Sequence, residues 1–279
     1  MFQSQNPSLF IEQKIYMKKV ALTLALLATL LATASDIKDR SDLHEVINQA
    51  ASIVATRVPG NTEIGAKSMS PDDPSGFVVI TDVIPDAIIE PRYYSNYNFV
   101  GSRVDGYLEP IALCTREAAA ALKLVANDLR KKGYRLKIYD AYRPQCAVDH
   151  FVRWTADPDT STRADFYPLT RVKKTLFPQY IARKSGHTKG STLDLTVVDA
   201  STGKELDMGG TFDFFGKVSH YKYRHITPEQ KANRRLLHDT MERHGFKHYP
   251  DEWWHFTLKN QPYPNTYFTF PVTQSILNL

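Results

Sequence analysis

The chain has 279 residues, of which 42% are hydrophobic, so it carries enough apolar material for one large domain or two small ones. Its 13 glycines and 16 prolines are ordinary numbers for a globular protein, and they exclude collagen-like and disordered chains. The formal net charge of +5 is small and is not gathered into runs, so no nucleic-acid partner is expected. Two cysteines are too few for a disulfide scaffold. Cys114 and Cys146 form either one disulfide or two free thiols, because the sequence does not show how far apart the sulfurs lie.

The amino terminus has the pattern of a secretory signal peptide. Met17 precedes Lys18-Lys19, a mostly apolar run follows over residues 20–32, and Ala32-Thr33-Ala34 forms a small-x-small cleavage box. The apolar run is shorter than the about 20 residues that a membrane-spanning helix needs. We therefore predict a signal peptide over residues 1–34, with translation starting at Met17, and a periplasmic or secreted mature protein without a stable membrane span. The alternative is that the run is a buried helix of the folded domain.

Residues 35–76 are polar and irregular, and they are interpreted as an amino-terminal extension and linker with one short helix over 43–55. The signals of one compact domain begin at residue 77 and continue to residue 279. This domain opens with an apolar run at 77–80 that predicts a strand.

The compact domain continues with further helix and strand signals. Thr115 is placed to cap a helix that ends at Gly133. A strand over 136–139 and a helix over 149–156 follow. Residues 193–197 alternate like a strand with one buried face.

Near the carboxyl end, Thr227, Pro228 and Gln230 form a capping box that opens a helix ending near His244. The aromatic-rich segment 252–258 predicts the last strand. Because strands and helices do not alternate regularly, the order of elements favours an α+β domain over a doubly wound one.

Two segments carry candidate metal chemistry. His187 and Asp194 lie in the segment from Ser185 to Asp194, and His255 lies in Glu252-Trp253-Trp254-His255. A catalytic zinc ion typically takes three nitrogen or oxygen ligands from the protein, and these three residues would supply such a set. Glu252 would serve as a general base for water, although residues three apart in a strand face opposite sides unless the strand bends. Spacing alone leaves a structural histidine and a turn aspartate as alternatives.

These segments belong to a larger set of motifs, which are Tyr93–Gly101 with Val104–Tyr107, Ile138–Pro144, Ser185–Asp194, Met208–Asp213 and Glu252–His255. In these motifs and their order the sequence resembles the VanX-type D-alanyl-D-alanine dipeptidases, which belong to the zinc D,D-peptidases that share a fold with the hedgehog signalling domain. The resemblance runs from about Tyr93 to about Phe256. It implies a single compact α+β domain with a mostly antiparallel central sheet flanked by helices. Residues 77–279 would then be the catalytic domain.

The resemblance also implies roles for the site residues. His187, Asp194 and His255 match the ligands of one Zn²⁺ per chain, and Glu252 matches the general base. Arg143 matches the arginine that stabilises the oxyanion of the tetrahedral intermediate. Apart from the resemblance, Arg143 would be interpreted as a structural arginine paired with Asp140.

Three further positions match residues that hold the small substrate. They are Ser185, Asp213 and Tyr93, with Asp213 the candidate partner of the substrate's ammonium group. Asp207 is the less favoured carboxylate for that role and would otherwise be a solvated turn residue. The remaining histidines are interpreted as surface or packing residues, namely His150, His220, His225, His238, His244 and His248.

The sequence therefore predicts an exported zinc-dependent dipeptidase that hydrolyses D-alanyl-D-alanine, with this small dipeptide as its partner. One alternative within the same chemistry is a D,D- or L,D-carboxypeptidase that trims peptidoglycan stem peptides. Such an enzyme does not need a carboxylate for the substrate's ammonium group. Another alternative is a non-catalytic binding module stabilised by zinc, which would need neither Glu252 nor Arg143.

Overall fold

A mixed five-stranded sheet forms the centre of the fold. The computed structural model of the chain describes residues 68–161, 163–168, 172–177 and 180–278. The sheet has the strand order β2-β4-β5-β7-β6. Its strands are β2 (Ile88–Ile89), β4 (Tyr134–Asp140), β5 (Thr192–Asp199), β6 (Phe246–Tyr249) and β7 (Glu252–Leu258).

Strand β2 runs parallel to β4, and the other neighbouring pairs are antiparallel. A separate antiparallel pair joins β1 (Phe77–Val79) to β3 (Leu113–Thr115). The described residues belong to one compact unit. The prediction of a single α+β domain with a mostly antiparallel central sheet is therefore confirmed.

Four α-helices accompany the strands within the described residues. They are α1 (Ile80–Val83), α2 (Arg116–Arg130), α3 (Gln145–Thr155) and α4 (Pro228–Arg243). Both predicted amino-terminal caps are confirmed. Thr115 Oγ1 accepts a hydrogen bond from the amide of Ala118 at the start of α2, and Thr227 forms a reciprocal capping box with Gln230 at the start of α4. Helix α3 begins four residues earlier than predicted, directly after Pro144, whose ring already holds the extended backbone of an N-cap.

The predicted strands over 136–139, 193–197 and 252–258 correspond to β4, β5 and β7. Strands β2, β3 and β6 were not predicted, because each is four residues long or shorter and is defined by its pairing partner rather than by a pattern of its own. The predicted signal peptide over 1–34 and the short helix over 43–55 lie outside the described residues. None of the described helices is long and apolar enough to cross a bilayer.

An aromatic core joins the carboxyl-terminal segment to the first strand. The ring of Phe77 meets those of Tyr142, Phe268 and Phe270 edge-on, with centroids 4.8 to 5.1 Å apart. Such pairs contribute on the order of 0.5–1.5 kcal/mol each beyond burial. The amide of Phe268 also donates to the carbonyl of Thr188 at 2.9 Å, so the carboxyl-terminal chain lies beside the loop that precedes β5.

The two cysteines do not form a disulfide in the structure. Cys114 is a buried free thiol in β3, and Cys146 is an exposed free thiol in the first turn of α3. The sequence left open either one disulfide or two free thiols, and the structure has two free thiols.

Candidate active site

Three neighbouring strands place three polar side chains side by side at one end of the sheet. Asp140 of β4 is paired with Asp194 of β5, and Asp194 is paired with His255 of β7. The first pairing depends on a β-bulge, because Ile138 pairs with Leu195 and Tyr139 is then an extra residue in β4. The bulge shifts the ladder by one residue and brings Asp140 opposite Asp194.

His187 reaches the same place from the loop before β5. It opens a 3₁₀ turn, His187–Lys189, which Gly190 ends with a positive φ of 77°. A Cβ atom at Gly190 would lie 2.3 Å from the ring of Phe77, so this position needs glycine for both its backbone angle and its contact. The imidazole of His187 is buried, and its Nδ1–H donates to the carbonyl of Ala141 at 2.8 Å, which directs Nε2 towards Asp194.

His187, Asp194 and His255 form a cluster with the size of a metal site. His187 Nε2 lies 3.2 Å from Asp194 Oδ2 and 3.3 Å from His255 Nδ1, and His255 Nδ1 lies 3.1 Å from Asp194 Oδ1. Ligands around a tetrahedral Zn²⁺ at about 2.0–2.1 Å are separated by about 3.3 Å. Asp194 Oδ1 is buried, and its 3.1 Å contact with His255 Nδ1 lacks the angles of a hydrogen bond, so a cation would satisfy this acceptor better. The residues therefore fit a zinc ion.

The same contacts shift the pKa values of His255 and Asp194. Burial alone would lower the pKa of His255, but its contacts with the carboxylates of Asp194 and Glu252 raise the pKa to about 10. Burial alone would raise the pKa of Asp194, but His187 and His255 lower it below its ordinary value. The metal-free cluster thus holds a proton between carboxylates. A metal ion would have to displace that proton, because imidazole binds metal in its neutral form.

Glu252 lies beside this cluster because of a second irregularity in the sheet. Tyr249 pairs with Glu252 while His248 pairs with Phe256, so three extra residues of β7, Trp253 to His255, lie opposite no residue of β6. An odd number of extra residues reverses which face the side chains occupy. Glu252 Oε2 is consequently only 3.2 Å from His255 Nδ1. The structure resolves the difficulty that residues three apart in a regular strand face opposite sides.

Arg143 has both the structural contact and the position of a catalytic residue. Its Nε donates to Oδ2 of Asp140 at 2.8 Å, and its Nη2 lies 2.7 Å from the same oxygen in an ion pair. Nη2 also donates to Asp194 Oδ2 at 3.5 Å. Tyr107 donates to the other oxygen of Asp140 at 2.6 Å. Burial alone would lower the pKa of Arg143, but its acidic neighbours, including Tyr93 and Asp140, raise it well above the ordinary value. Arg143 is therefore a fixed cation at the edge of the metal cluster.

Asp213 and Tyr93 form a buried pair beside Arg143, whose guanidinium carbon lies 4.8 Å from the centre of the Tyr93 ring. Tyr93 donates its hydroxyl hydrogen to Asp213 Oδ2 at 2.8 Å. Burial, and then the nearby charge of Asp194, raise the pKa of Asp213 well above its ordinary value. Asp213 has a positive φ of 59°, a strained backbone angle for a residue other than glycine. No ion pair joins Asp213 to a cationic side chain in the part of the chain that the structure describes.

A single cavity of about 280 Å³ brings the predicted residues together. Its walls include all eight of them, namely Tyr93, Arg143, Ser185, His187, Asp194, Asp213, Glu252 and His255. Ser185 also accepts a hydrogen bond from the amide of His187 at 3.2 Å, at the start of the 3₁₀ turn. Asp207 is not in this cavity and instead accepts hydrogen bonds from the Gly209 amide and the Gln230 side chain. The individual roles of the eight residues stay predictions.

Sequence reasoning missed part of the site. Asp140 was considered only as a partner of Arg143, yet it also lies 3.5 Å from His187 Nδ1. Tyr249 and Lys184 line the cavity without having been singled out. Asp140 and Tyr107 lie within the motifs quoted above, which is the signal that could have found them, whereas Tyr249 is the last residue of β6, a strand that the sequence did not predict.

Comparison with known proteins covers the same region. A family model described as D-ala-D-ala dipeptidase matches residues 73–273. The chain is similar to the D-alanyl-D-alanine dipeptidase of Enterococcus faecalis, with 38% identity over 200 residues that span 71% of this chain and 99% of that protein. The protein of the same name from Streptomyces coelicolor is 38% identical over 197 residues, which span 70% of this chain and 98% of that one. The protein from Escherichia coli is 33% identical over 189 residues, or 67% and 86% of the two chains.

Proposed function

Because the chain belongs to the D-alanyl-D-alanine dipeptidase family of metallopeptidases, we propose that it is an exported zinc enzyme that hydrolyses free D-alanyl-D-alanine to two molecules of D-alanine. The observation that carries the proposal is the meeting of a three-ligand cluster, a carboxylate, a fixed arginine and a second buried carboxyl in one cavity. The volume of about 280 Å³ is just below the range of about 300–1,000 Å³ typical of pockets for drug-sized ligands. A small dipeptide suits it.

The chemistry divides between the metal and the side chains around it. Zn²⁺ held by His187, Asp194 and His255 would act as a Lewis acid on the scissile carbonyl and would make water more acidic. Glu252, whose Oε2 lies 3.2 Å from His255 Nδ1, would accept the proton of the attacking water and pass it to the leaving amino group.

Arg143 supports the proposal through charge that is already in place. Asp140 binds two nitrogens of its guanidinium, so the side chain does not have to reorganise when the carbonyl oxygen becomes negative. A fixed donor of this kind stabilises the transition state more than the ground state. Its removal typically costs on the order of 10²–10³ in rate.

Asp213 supports a substrate with a free amino group. A buried carboxyl without a cationic partner costs free energy when it ionises, and a substrate ammonium group would supply the missing cation. The hydroxyl of Tyr93 holds one carboxylate oxygen and fixes its orientation. A carboxypeptidase that acts on long stem peptides has no use for such a partner, so Asp213 is the residue on which the two activities differ.

The test compares D-Ala-D-Ala with N-acetyl-D-Ala-D-Ala, using the purified full chain loaded with Zn²⁺. Acetylation removes the ammonium group and leaves Asp213 without a partner. Truncating one member of a buried charge pair typically costs about 2–5 kcal/mol, so kcat/KM should fall roughly 30-fold to several thousand-fold. Asp213→Asn should reduce the difference in kcat/KM between the two substrates, because it should slow hydrolysis of the free dipeptide most. Asp207→Asn, which alters a carboxylate outside the cavity, is the matched control and should leave the difference in kcat/KM between the two substrates unchanged. Equal rates on the two substrates in the unmodified enzyme would favour the carboxypeptidase.

Export is a separate part of the proposal and has its own measurement. Lys18-Lys19, the apolar run and Ala32-Thr33-Ala34 support cleavage after Ala34 and a location in the periplasm or outside the cell. Amino-terminal sequencing of the protein from its native envelope should begin at Ser35. A protein found in the cytosol with Met17 at its start would contradict export without touching the dipeptidase proposal.

A further inference from the structure

Three side chains outside the cavity converge where α4 meets β6. His238 and Glu242 are four residues apart on α4, so they lie on the same face of the helix, and His248 approaches them from β6. His238 Nε2 lies 2.9 Å from His248 Nδ1, and Glu242 Oε1 lies 3.8 Å from each of these nitrogens. We propose that His238, Glu242 and His248, here called the α4–β6 cluster, form a second metal site that binds a divalent transition-metal ion such as Zn²⁺.

The three ligand atoms lie close enough together for one such ion to contact all of them. A point in their plane lies about 2.1 Å from all three atoms, close to the Zn–N distance of about 2.0–2.1 Å and the Zn–O distance of about 2.0–2.2 Å. A hydrogen bond between the two imidazoles explains their 2.9 Å contact. The 3.8 Å distances to Glu242 are too long for hydrogen bonds, so a metal ion that replaced the bond between the imidazoles would also use this carboxylate oxygen as a ligand.

The donor set selects the class of metal. Two imidazole nitrogens and one carboxylate oxygen suit Zn²⁺ and the neighbouring first-row divalent ions. Ca²⁺ and Mg²⁺ favour sites made of oxygen ligands, so the α4–β6 cluster should discriminate against them.

The surroundings of the α4–β6 cluster hold the imidazoles in place for binding. His238 Nδ1 lies 2.9 Å from Asp239 Oδ1, so its N–H donates to that carboxylate and leaves the lone pair of Nε2 for a metal. The ring of Tyr221 stacks on His238, with centroids 4.4 Å apart and planes inclined by 16°. Glu242 is 43% exposed and leaves a path for the ion to enter.

A metal in the α4–β6 cluster would tie the end of a helix to the edge of the central sheet. The chain turns between α4 and β6 at His244 and Gly245. The ion would link side chains on the two sides of this turn. Tyr249 follows His248 directly, lines the catalytic cavity, and has its ring centroid 5.5 Å from that of His255. Because the ion binds only where helix and strand are both in place, it should stabilise the folded protein against heat.

The test counts zinc ions in the full chain. The protein is stripped with a chelator, dialysed against buffered free Zn²⁺ and analysed for bound metal. We expect two ions per chain in the unmodified protein and one in His238→Gln and in Glu242→Gln. The exposed His225 lies outside the α4–β6 cluster, so His225→Gln is the matched control and should keep two ions. His187→Ala should lose the catalytic ion but keep the other, which separates this proposal from the proposed function.

Affinity provides a second readout that does not depend on enzyme activity. Asp239→Asn should weaken binding at the α4–β6 cluster about 10- to 100-fold, as is typical when the partner of a ligating histidine is altered. Glu242→Gln changes an exposed side chain, so it reports on binding even if His238→Gln does not fold. A single ion per chain in the unmodified protein would overturn the proposal. Two ions retained in Glu242→Gln with unchanged affinity would overturn it equally.

Discussion

Arg234 fixes the loop that brings Asp213 to the cavity, and its removal gives a prediction that the structure makes quantitative. The side chain is only 2% exposed. Its Nε donates to the carbonyl of Met208 at 2.6 Å, Nη1 to that of His220 at 2.8 Å and Nη2 to that of Val218 at 2.7 Å. These carbonyls flank Asp213 in the chain. We predict that Arg234→Met lowers both the stability of the protein and its affinity for substrate.

The expected loss in the free energy of unfolding follows from the three hydrogen bonds of Arg234 and from the contacts that replace them. A hydrogen bond to a charged group contributes about 1.5–3 kcal/mol, so three set an upper limit of about 4.5–9 kcal/mol. Val218 and His220 are half-buried, so water can replace part of the loss. Burial lowers the pKa of Arg234 to about 10, which shows that holding this charge inside the protein costs free energy that methionine does not. We expect the free energy of unfolding to fall by about 2–4 kcal/mol, and Tm by roughly 4–16 °C.

The assay is thermal and urea unfolding of the metal-loaded full chain, with KM for D-Ala-D-Ala measured on the same samples. Arg235, the next residue of α4, is exposed, so Arg235→Met is the matched control and should stay within about 0.5 kcal/mol of the unmodified protein. KM should rise in Arg234→Met and not in the control. If the two variants unfold within about 0.5 kcal/mol of each other, Arg234 does not hold this loop and the reasoning is refuted.

Three further predictions concern the catalytic cavity. His187→Ala should lose the metal of the catalytic cluster and all activity. Glu252→Gln should keep that metal and lose activity, because a general base is not a metal ligand. If metal analysis of Glu252→Gln showed no bound metal in the catalytic cluster, Glu252 would be a ligand. Tyr93→Phe removes the hydroxyl that donates to Asp213, which should cost about 1.5 kcal/mol, or about tenfold in kcat/KM for the free dipeptide, with little change for the acetylated one. Burial raises the pKa of Asp213, so the folded protein keeps the carboxyl proton of Asp213 to higher pH than the unfolded chain does. The contribution of this proton to the free energy of unfolding is complete below about pH 4, and it is lost as the pH rises through the folded-state pKa. Asp213→Asn should therefore stabilise the metal-free protein at pH 8 and have little effect near pH 3, and urea unfolding that showed the same difference at both pH values would contradict this.

The sequence by itself determined those features that depend on neighbouring residues. Thr115 and Thr227 could be assigned as caps because an N-cap bonds to an amide only two or three residues away. Strand β7 was predicted at its observed bounds from its aromatic-rich composition. Spacing alone suggested His187, Asp194 and His255 but left structural alternatives open. Arg143 and Asp213 were named only because of the family resemblance, since a lone arginine or aspartate has no local signature.

Only the tertiary structure decided how those residues meet. Glu252 and His255 reach the same site because β7 carries three extra residues against β6, and a bulge is set by pairing between strands rather than by either strand alone. The hydrogen bond between Tyr93 and Asp213 joins residues 120 positions apart, so no periodic pattern in the sequence could predict it. The same is true of the α4–β6 cluster, because β6 was not predicted and His248 therefore had no assigned neighbour. Local propensity fixes caps and faces, whereas register and convergence arise from contacts between distant segments, which form only when the chain has folded.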